Sequence, residues 1–345
     1  MINISKSDIK KILVMKLRGI GDVVLSTVIF DALKENFPGA QIDFLTEKPG
    51  ALALENVPLI KEVLIFNRKS KKQRFGLFFE VRKRKYDLVI DLFSNPATAQ
   101  LTFFSGARYR AGFPYKGRKY AYNLYGPPER DKYHAAQLHL ELLKTIGIEV
   151  KQNYSLYFGL NDNAISFANH IITKSNLDGS LLLGISPSGG WDSKKCDPVK
   201  FAEIADNVID KYNTKTIIVW GPGDENDAEQ IKKMMKHDAV LAPPSNLLEM
   251  GALIQKCDFL IANDSGPMHI STAVGTPVLS LHGPTSPYLQ GPFGDKHEWV
   301  RLDELDCIQC NLLECPKHHE CFLQLPVVRV MQKVDNLLRK NNLIR

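Results

Sequence analysis

The chain has 345 residues, of which 44% are hydrophobic and 24% are charged. This length predicts two globular domains, and the composition excludes a disordered chain, a collagen and a coiled coil. No run of about 18 apolar residues is present, and the first residues contain no apolar signal-peptide core, so the sequence predicts a soluble cytoplasmic protein. Lys and Arg number 44 against 38 Asp and Glu, which gives a net charge of +6.

The positive charge is concentrated in one segment. Residues 61–90 contain ten basic and three acidic side chains, so the rest of the chain has a net charge of about −1. An anionic partner is one interpretation, either a membrane surface, a phosphorylated glycolipid or a nucleic acid. A solvated helix face is the other. Nucleic acid is disfavoured because no binding module accompanies the run. Apolar residues 75–81 would face a membrane or a core.

Strands and helices alternate along the first half. Short apolar runs predict strands at 11–15, 41–45 and 87–92, and Val24 and Val28 belong to a helical pattern that ends before residue 37. Such alternation is typical of a parallel, doubly wound α/β sheet.

The same pattern restarts in the second half. Strands are predicted at 181–185, 216–220, 258–262 and 277–281, with a helix over 198–212. The boundary falls within 159–179, and the predicted parts are a first domain at 1–165, a second at 178–325 and a docked amphipathic helix at 326–345. Two α/β domains that face a cleft are the expected architecture.

A glycine-containing segment follows the first predicted strand. Residues 16–22 read KLRGIGD, and Gly19 and Gly21 allow a tight turn with space for a ligand beside Asp22. The segment is not a dinucleotide fingerprint, because Val24 stands where a third glycine is required. Asp22 is therefore either a general base for an incoming hydroxyl or a cap of the following helix.

A loop of small residues follows the first strand of the second half. Residues 186–195 read SPSGGWDSKK. Free backbone N–H groups before a helix and lysine side chains suit a phosphate group. The alternative is an ordinary surface loop whose lysines are solvated.

The third motif is the most specific of the three. Residues 263–273 read NDSGPMHISTA. Asp264 ends a predicted strand, and Ser265 and Gly266 begin a helix whose exposed N–H groups suit a diphosphate. His269 either faces the same ligand or belongs to the core.

Together these motifs make the chain similar to glycosyltransferase family 9, the heptosyltransferases of lipopolysaccharide core assembly. The likeness covers residues 12–322, and its marks are the Arg18-Gly19-x-Gly21-Asp22 segment, the Gly189-Gly190-x-x-x-Lys194 loop, the 264–269 motif and the Gly283-Pro284-Thr285 segment. The resemblance implies a GT-B fold, in which two Rossmann-like domains face each other. It implies inverting transfer of L-glycero-D-manno-heptose from ADP-heptose to a sugar of the lipopolysaccharide inner core, with no cofactor required.

The resemblance also implies roles for individual residues. Asp22 would deprotonate the acceptor hydroxyl, and Asp264 would hold the hydroxyls of the donor sugar. The implied donor-binding residues are Lys194 at the phosphates, Glu225 at the ribose, Asp264, Ser265, Gly266 and His269; those of loops near donor or acceptor are Arg18, Gly19, Gly21, Gly189, Gly190, Gly283 and Thr285. The basic segment would face the anionic inner surface of the cytoplasmic membrane and the phosphorylated acceptor, so the protein would be peripheral.

The loop of residues 186–195, called here the lysine loop, departs from the family pattern. Many relatives have Thr-Thr or Gly-Ser before the lysine and Trp-Pro after it, where this chain has Gly189-Gly190 and Cys196-Asp197. A glycosyltransferase for another nucleotide-sugar or acceptor glycan, a sugar-nucleotide epimerase of the same fold and a non-catalytic sugar-nucleotide-binding protein are the alternatives.

Four of the six cysteines form a cluster near the end of the chain. They are Cys307, Cys310, Cys315 and Cys321, with His318 and His319 between the last two. Four thiols this close match the count of a structural zinc or iron–sulfur site, although the spacing fits no standard pattern. Reduced thiols and a redox disulfide are the alternatives.

Overall fold

The computed structural model describes residues 4–151 and 154–344 of the chain. Residues 1–3 and 345, which belong to the predicted first domain and C-terminal helix, lie outside the described residues. The chain divides into two compact units between Gly159 and Leu160.

The first unit is an α/β unit built on one parallel sheet. Its strands are β1 Lys11–Met15, β2 Gln41–Thr46, β3 Glu62–Ile65, β4 Leu88–Asp91, β5 Tyr109–Gly112 and β6 Leu124–Tyr125. They lie in the order β3-β2-β1-β4-β5-β6. Its helices are α1 Ile20–Ser26, α2 Phe30–Asn36, α3 Lys48–Leu52, α4 Lys71–Arg84, α5 Pro96–Phe104 and α6 Ala135–Thr145, with 3-10 turns at Lys6–Asp8, Thr27–Ile29, Lys119–Ala121 and Arg130–Lys132.

The predicted helix between β1 and β2 is interrupted. A 3-10 turn, Thr27–Ile29, separates α1 from α2. The hydroxyls of Ser26 and Thr27 donate to the carbonyls of Val23 and Val24 at 2.6 Å. Such side-chain bonds to the preceding turn bend helices, which explains the interruption.

The second unit repeats this architecture. Its strands are β7 Leu182–Ser186, β8 Lys215–Ile218, β9 Val240–Leu241, β10 Phe259–Asn263, β11 Val278–His282 and β12 Glu298–Arg301. They form a second parallel sheet in the order β12-β11-β10-β7-β8-β9. Its helices are α7 Asp162–Lys174, α8 Pro198–Tyr212, α9 Glu225–Met234, α10 Leu247–Lys256, α11 Gly266–Val274, α12 Pro287–Gln290, α13 Glu320–Leu323 and α14 Val327–Lys340, with a 3-10 turn at Asp192–Lys194.

The central strands of the second unit are apolar on both faces because helices cover both sides of the sheet. Every residue of β7, β10 and β11 is buried. The helix α14 packs on the same core through Val330, Val334, Leu337 and Leu338. The amphipathic tail is therefore an integral part of the second unit. No helix in the described part of the chain is long and apolar enough to cross a membrane.

Candidate functional site

The predicted functional side chains follow the carboxyl ends of central strands. The strand order reverses between β1 and β4 in the first unit, and between β7 and β10 in the second. Open parallel sheets bind ligands outside the carboxyl ends of the strands beside such a reversal. Each unit therefore has an edge at which a ligand is expected.

Three motifs that are distant in sequence meet at this edge of the second unit. Nζ of Lys194 lies 2.8 Å from Oδ2 of Asp264, and the two side chains are 11% and 5% exposed. The Thr285 hydroxyl donates to the same oxygen at 2.5 Å. The Lys194 ammonium also lies 4.5 Å from the centroid of the Trp191 ring. The loops after β7, β10 and β11 thus converge on one carboxylate.

The charges of this cluster are mutually dependent. Burial raises the pKa of Asp264, but a protonated His282, the Lys194 ammonium and the Thr285 hydrogen bond lower it, and the resulting pKa lies below the usual value. Because burial lowers the pKa of His282 to about 4, its imidazole is neutral at pH 7 and Lys194 is the stabilising charge. Buried ion pairs contribute little net stability, so a role in binding explains this one better.

Asn263, which the sequence motif did not single out for a role, anchors the loop that presents Lys194. Its side-chain amide donates to the carbonyl of Pro187 at 2.8 Å. Its side-chain oxygen accepts from the backbone N–H of Cys196 at 3.1 Å. Both ends of the lysine loop are therefore attached to the end of β10, with Cys196-Asp197 in place of Trp-Pro.

Two buried hydroxyls line the same edge without a hydrogen-bond partner among the described residues. They belong to Ser188, in the lysine loop, and Ser265, the N-cap residue of α11. The first N–H groups of any helix lack partners within the helix, and in α11, which begins at Gly266, Ser265 supplies no side-chain capping bond to them. Buried polar groups are costly unless a partner satisfies them, so this edge suits a polar, anionic ligand. His269 lies buried in the same helix.

The neighbouring lysine has a different function in the fold. Nζ of Lys195 lies 2.9 Å from Asp224 and 2.7 Å from Asp227, at the start of α9. A Cβ at Gly189 would lie 2.6 Å from Cγ of this tethered lysine, which explains the glycine there. Lys195 thereby fixes the lysine loop to α9, whose first residue is the exposed Glu225.

Asp22 lies at the corresponding edge of the first unit. It is the third residue of α1, whose N-cap is Gly19, so Asp22 is not the N-cap residue but an acidic residue of the first helical turn. Its carboxylate lies 3.2 Å from Nζ of the buried Lys16 and remains 45% exposed. A Cβ at Gly19, which has φ +62°, would lie 2.9 Å from Oδ2 of Asp22. Arg18, exposed, and Gly21, buried, flank this turn.

Sequence reasoning missed a buried carboxylate at the end of β4. Asp91 accepts hydrogen bonds from the Tyr122 hydroxyl at 2.8 Å and from the backbone N–H groups of Phe93 and Ser94. Burial raises its pKa to about 6. The sequence shows Asp91 only as the end of an apolar strand. Its partner Tyr122 lies 31 residues later in the chain, so no local pattern indicates their contact.

The four clustered cysteines do not converge into a metal site. Across residues 4–151 and 154–344, no group of three or more His, Cys, Asp and Glu side chains is arranged to hold a metal ion. Of the alternatives that the sequence left open for these cysteines, the structural metal site is the one that the described residues do not support. All four are free thiols, and Cys321 is buried while Cys310 is exposed.

The family model for glycosyltransferase family 9, described as heptosyltransferase, matches residues 74–320. The chain belongs to glycosyltransferase family 9. A curated relative, lipooligosaccharide heptosyltransferase 2 of Campylobacter jejuni, is 26% identical over 341 residues and covers 94% of this chain and 97% of its own length. The predicted family and its glycosyltransferase activity are thus confirmed.

Solved structures of family members share the fold. The glycosyl transferase family 9 protein of Veillonella parvula matches with a TM-score of 0.83 at 24% identity, over 96% of this chain and 97% of that one. Escherichia coli heptosyltransferase WaaC, solved with ADP-2-deoxy-2-fluoro heptose, matches with a TM-score of 0.72 at 19% identity, over 94% and 99%. These likenesses and the two doubly wound sheets confirm the predicted GT-B class.

Proposed function

We propose that this family 9 enzyme transfers a heptose from ADP-heptose to a sugar hydroxyl of the lipopolysaccharide inner core, with inversion. The observation that carries the proposal is the buried Lys194–Asp264 pair beside the unsatisfied hydroxyl and N-terminus of α11. Support comes also from relatives whose names describe lipooligosaccharide and lipopolysaccharide heptosyltransferases, and from a related fold solved with an ADP-heptose analogue.

In this proposal the second unit binds the donor. Lys194 and the N–H groups at Ser265 and Gly266 contact the diphosphate, where they stabilise the negative charge that develops on the leaving ADP. Asp264 accepts hydrogen bonds from hydroxyls of the heptose, and Glu225, exposed at the start of α9, binds the ribose. Preorganised donors of this kind contribute roughly 2.7–4 kcal/mol each to the transition state, and we propose that they serve without a metal ion.

The first unit supplies the base. Asp22 takes the proton of the acceptor hydroxyl while that oxygen attacks the anomeric carbon, and the bond from the anomeric carbon to the diphosphate breaks with its electron pair leaving on ADP. Lys16, itself buried, holds the Asp22 carboxylate in one orientation through the 3.2 Å ion pair. General-base catalysis of this kind contributes about 10²–10⁴-fold to the rate.

The proposal includes attachment to an anionic membrane through one face of the first unit. Phe75 and Phe79 of α4 are 67% and 62% exposed and contact each other with a centroid distance of 5.1 Å. Phe78 of the same helix contacts Phe104 at a centroid distance of 5.8 Å and connects α4 to three further exposed aromatic side chains, namely Phe104, Phe103 and Tyr120. Exposed Lys71, Lys72 and Lys83 lie on the same helix. Aromatic side chains flanked by lysines are typical of a face that binds an anionic lipid surface.

Part of the basic segment instead stabilises the fold. Both terminal nitrogens of the Arg84 guanidinium donate to Glu62, at 2.6 and 2.7 Å, and one of them also donates to Glu80 at 2.6 Å. Leu77 and Val81 of the same helix are buried. The proposal therefore assigns only the exposed side chains of this segment to the membrane, while Leu77 and Val81 belong to the core.

The experiment that tests the donor is calorimetric titration of the purified protein with ADP, ADP-heptose, UDP and UDP-glucose in the presence of EDTA. The proposal predicts binding of the two adenine ligands and little binding of the uridine ligands. Preference for UDP ligands would move the donor to another nucleotide-sugar. Binding of ADP only after a divalent ion is restored would contradict metal-free recognition.

A further inference from the structure

The cysteine-containing segment 307–321, called here the cysteine strap, contacts two loops of the candidate donor site. On one side, the backbone N–H of Gln309 donates to the carbonyl of Gly283 at 3.1 Å, and that of Asn311 donates to the carbonyl of Pro284 at 2.9 Å. These bonds attach the strap to the loop after β11, which contains Thr285.

On its other side the strap contacts the lysine loop. The backbone N–H of Ser193 donates to the carbonyl of Leu313 at 3.1 Å, and the buried Ser193 hydroxyl donates to the carbonyl of Leu312. The carboxylate of Asp192 accepts from the backbone N–H of Cys315 at 3.4 Å and lies 3.3 Å from Nε2 of His319. The strap thus bridges the two loops.

The bonded residues adjoin the two partners of Asp264. Ser193 immediately precedes Lys194, and Pro284 immediately precedes Thr285. Lys194 and Thr285 bind the same oxygen of Asp264, at 2.8 and 2.5 Å. A displacement of the strap would therefore move both partners of that carboxylate.

Two of the cysteines take part in this arrangement as thiols. Sγ of Cys315 accepts from the backbone N–H of His319 at 3.3 Å, which places the imidazole that meets Asp192. Cys321 is buried directly against Gly283, where a Cβ would overlap its Sγ. Burial raises the pKa of Cys321 to about 12, so it remains a neutral thiol at pH 7.

We infer that the cysteine strap is a positioning element for the donor diphosphate: it sets Lys194 and Thr285 against Asp264 and so determines the affinity for that group. Ser193 and His319 are the side chains through which it acts on the lysine loop. The inference rests on the proposed function in that the diphosphate is the ligand of Lys194.

The test compares Ser193→Ala and His319→Ala with the natural protein, and each also in a Lys194→Met background. Titrations with ADP and with adenosine are made with a thiol reductant and EDTA present. We expect each strap variant to bind ADP about 3- to 10-fold more weakly than the natural protein and to bind adenosine with unchanged affinity. The reason is that only the diphosphate contacts Lys194. In the Lys194→Met background the same substitutions should have no further effect on ADP. Glu314→Gln, an exposed change in the strap outside these contacts, is the control.

Equal losses for ADP and adenosine, or full additivity with Lys194→Met, would overturn the inference and leave the strap a general stabilising segment. Amide hydrogen exchange of peptides that cover residues 188–196 supplies a readout independent of the ligand. Faster exchange of these peptides in His319→Ala supports the positioning role of the cysteine strap, and unchanged exchange contradicts it. If the natural protein bound no ADP at all, the proposed function would fail, while the exchange result would still decide whether the strap holds the lysine loop.

Discussion

Two adjacent lysines illustrate how much of this site is decided by single residues. Lys194 points to Asp264 and the Trp191 ring, whereas Lys195 is bound by Asp224 and Asp227. The sequence shows two equivalent basic residues in one loop. The structure gives them different partners, and we propose that Lys194 contacts the donor whereas Lys195 fixes the loop.

Lys194→Met should reduce the affinity for ADP by about 10- to 100-fold, because a charged hydrogen-bond donor contributes about 1.5–3 kcal/mol. Lys195→Met is the matched control and should bind ADP within a fewfold of the natural protein. Calorimetric titration measures both, and circular dichroism verifies that each variant is folded. Equal losses in the two variants would contradict the separate roles.

Asp91 makes stability depend on pH in a direction that is unusual for a carboxyl group. Its pKa is raised by burial from 3.8 to about 6. Between pH 3.8 and about 6 the folded chain therefore keeps a proton on Asp91 that the unfolded chain has lost. The contribution of Asp91 to the free energy of unfolding decreases as the pH rises through this range. Asp91→Asn removes the titration. The free energy of unfolding of the variant, relative to that of the natural protein, should rise by about 1–2 kcal/mol from pH 5 to pH 8. Urea unfolding at both pH values measures it, and a pH-independent difference would refute the raised pKa.

At the scale of elements, the central strands could be predicted and the peripheral ones could not. The runs that became β1, β2, β4, β7, β8, β10 and β11 are apolar because both faces of the sheet are covered. By contrast, β3 has exposed ends and β12 is only partly buried, so neither has a continuous apolar run. The break between α1 and α2 depends on hydroxyl bonds to the backbone, which hydrophobic periodicity does not report.

The loop after β11 provides a prediction about packing between elements. Gly283→Ala places a methyl group against Cys321 and near Phe322, and should destabilise the fold by about 1–3 kcal/mol through overpacking. The double variant with Cys321→Ala should lose less than the sum of the single changes. Gly190→Ala is the control, since a Cβ there meets no atom within 4 Å. Urea unfolding of the natural protein, the two single variants, the double variant and the control checks the result, and strict additivity would show that the two sites do not contact.

At the scale of the whole molecule, the order of the motifs along the chain could be read from the sequence. The contacts between the motifs could not. Nothing in the sequence pairs Lys194 with Asp264 and Thr285, because these residues meet only where three parallel strands end at one edge. The cysteine count likewise left a metal site, reduced thiols and a disulfide open as alternatives. In the described part of the chain no group is arranged to hold a metal, Cys315 accepts a backbone hydrogen bond, and Cys321 is buried against Gly283.

The proposed attachment to an anionic lipid surface can be tested on the exposed side chains of α4. The variant Phe75→Ser/Phe79→Ser and the variant Lys71→Gln/Lys72→Gln/Lys83→Gln should each bind phosphatidylcholine vesicles containing phosphatidylglycerol more weakly than the natural protein. Each exposed lysine near an anionic surface contributes about 1 kcal/mol, and each buried phenylalanine about 1.5–3 kcal/mol. Lys232→Gln/Lys233→Gln, exposed on α9 of the other unit, is the control. Sedimentation with vesicles measures binding, and unchanged sedimentation of both variants would contradict membrane attachment through this face.

The most direct measurement is transfer itself, with ADP-heptose and a heptose-free lipopolysaccharide core as substrates, for the natural protein and for Asp22→Asn. Mass spectrometry of the acceptor and release of ADP are followed together. We expect the natural protein to add one heptose, and Asp22→Asn to lose at least about 100-fold in kcat while binding ADP with unchanged affinity. An Asp22→Asn variant that transfers heptose at the natural rate would contradict the assignment of Asp22 as the base.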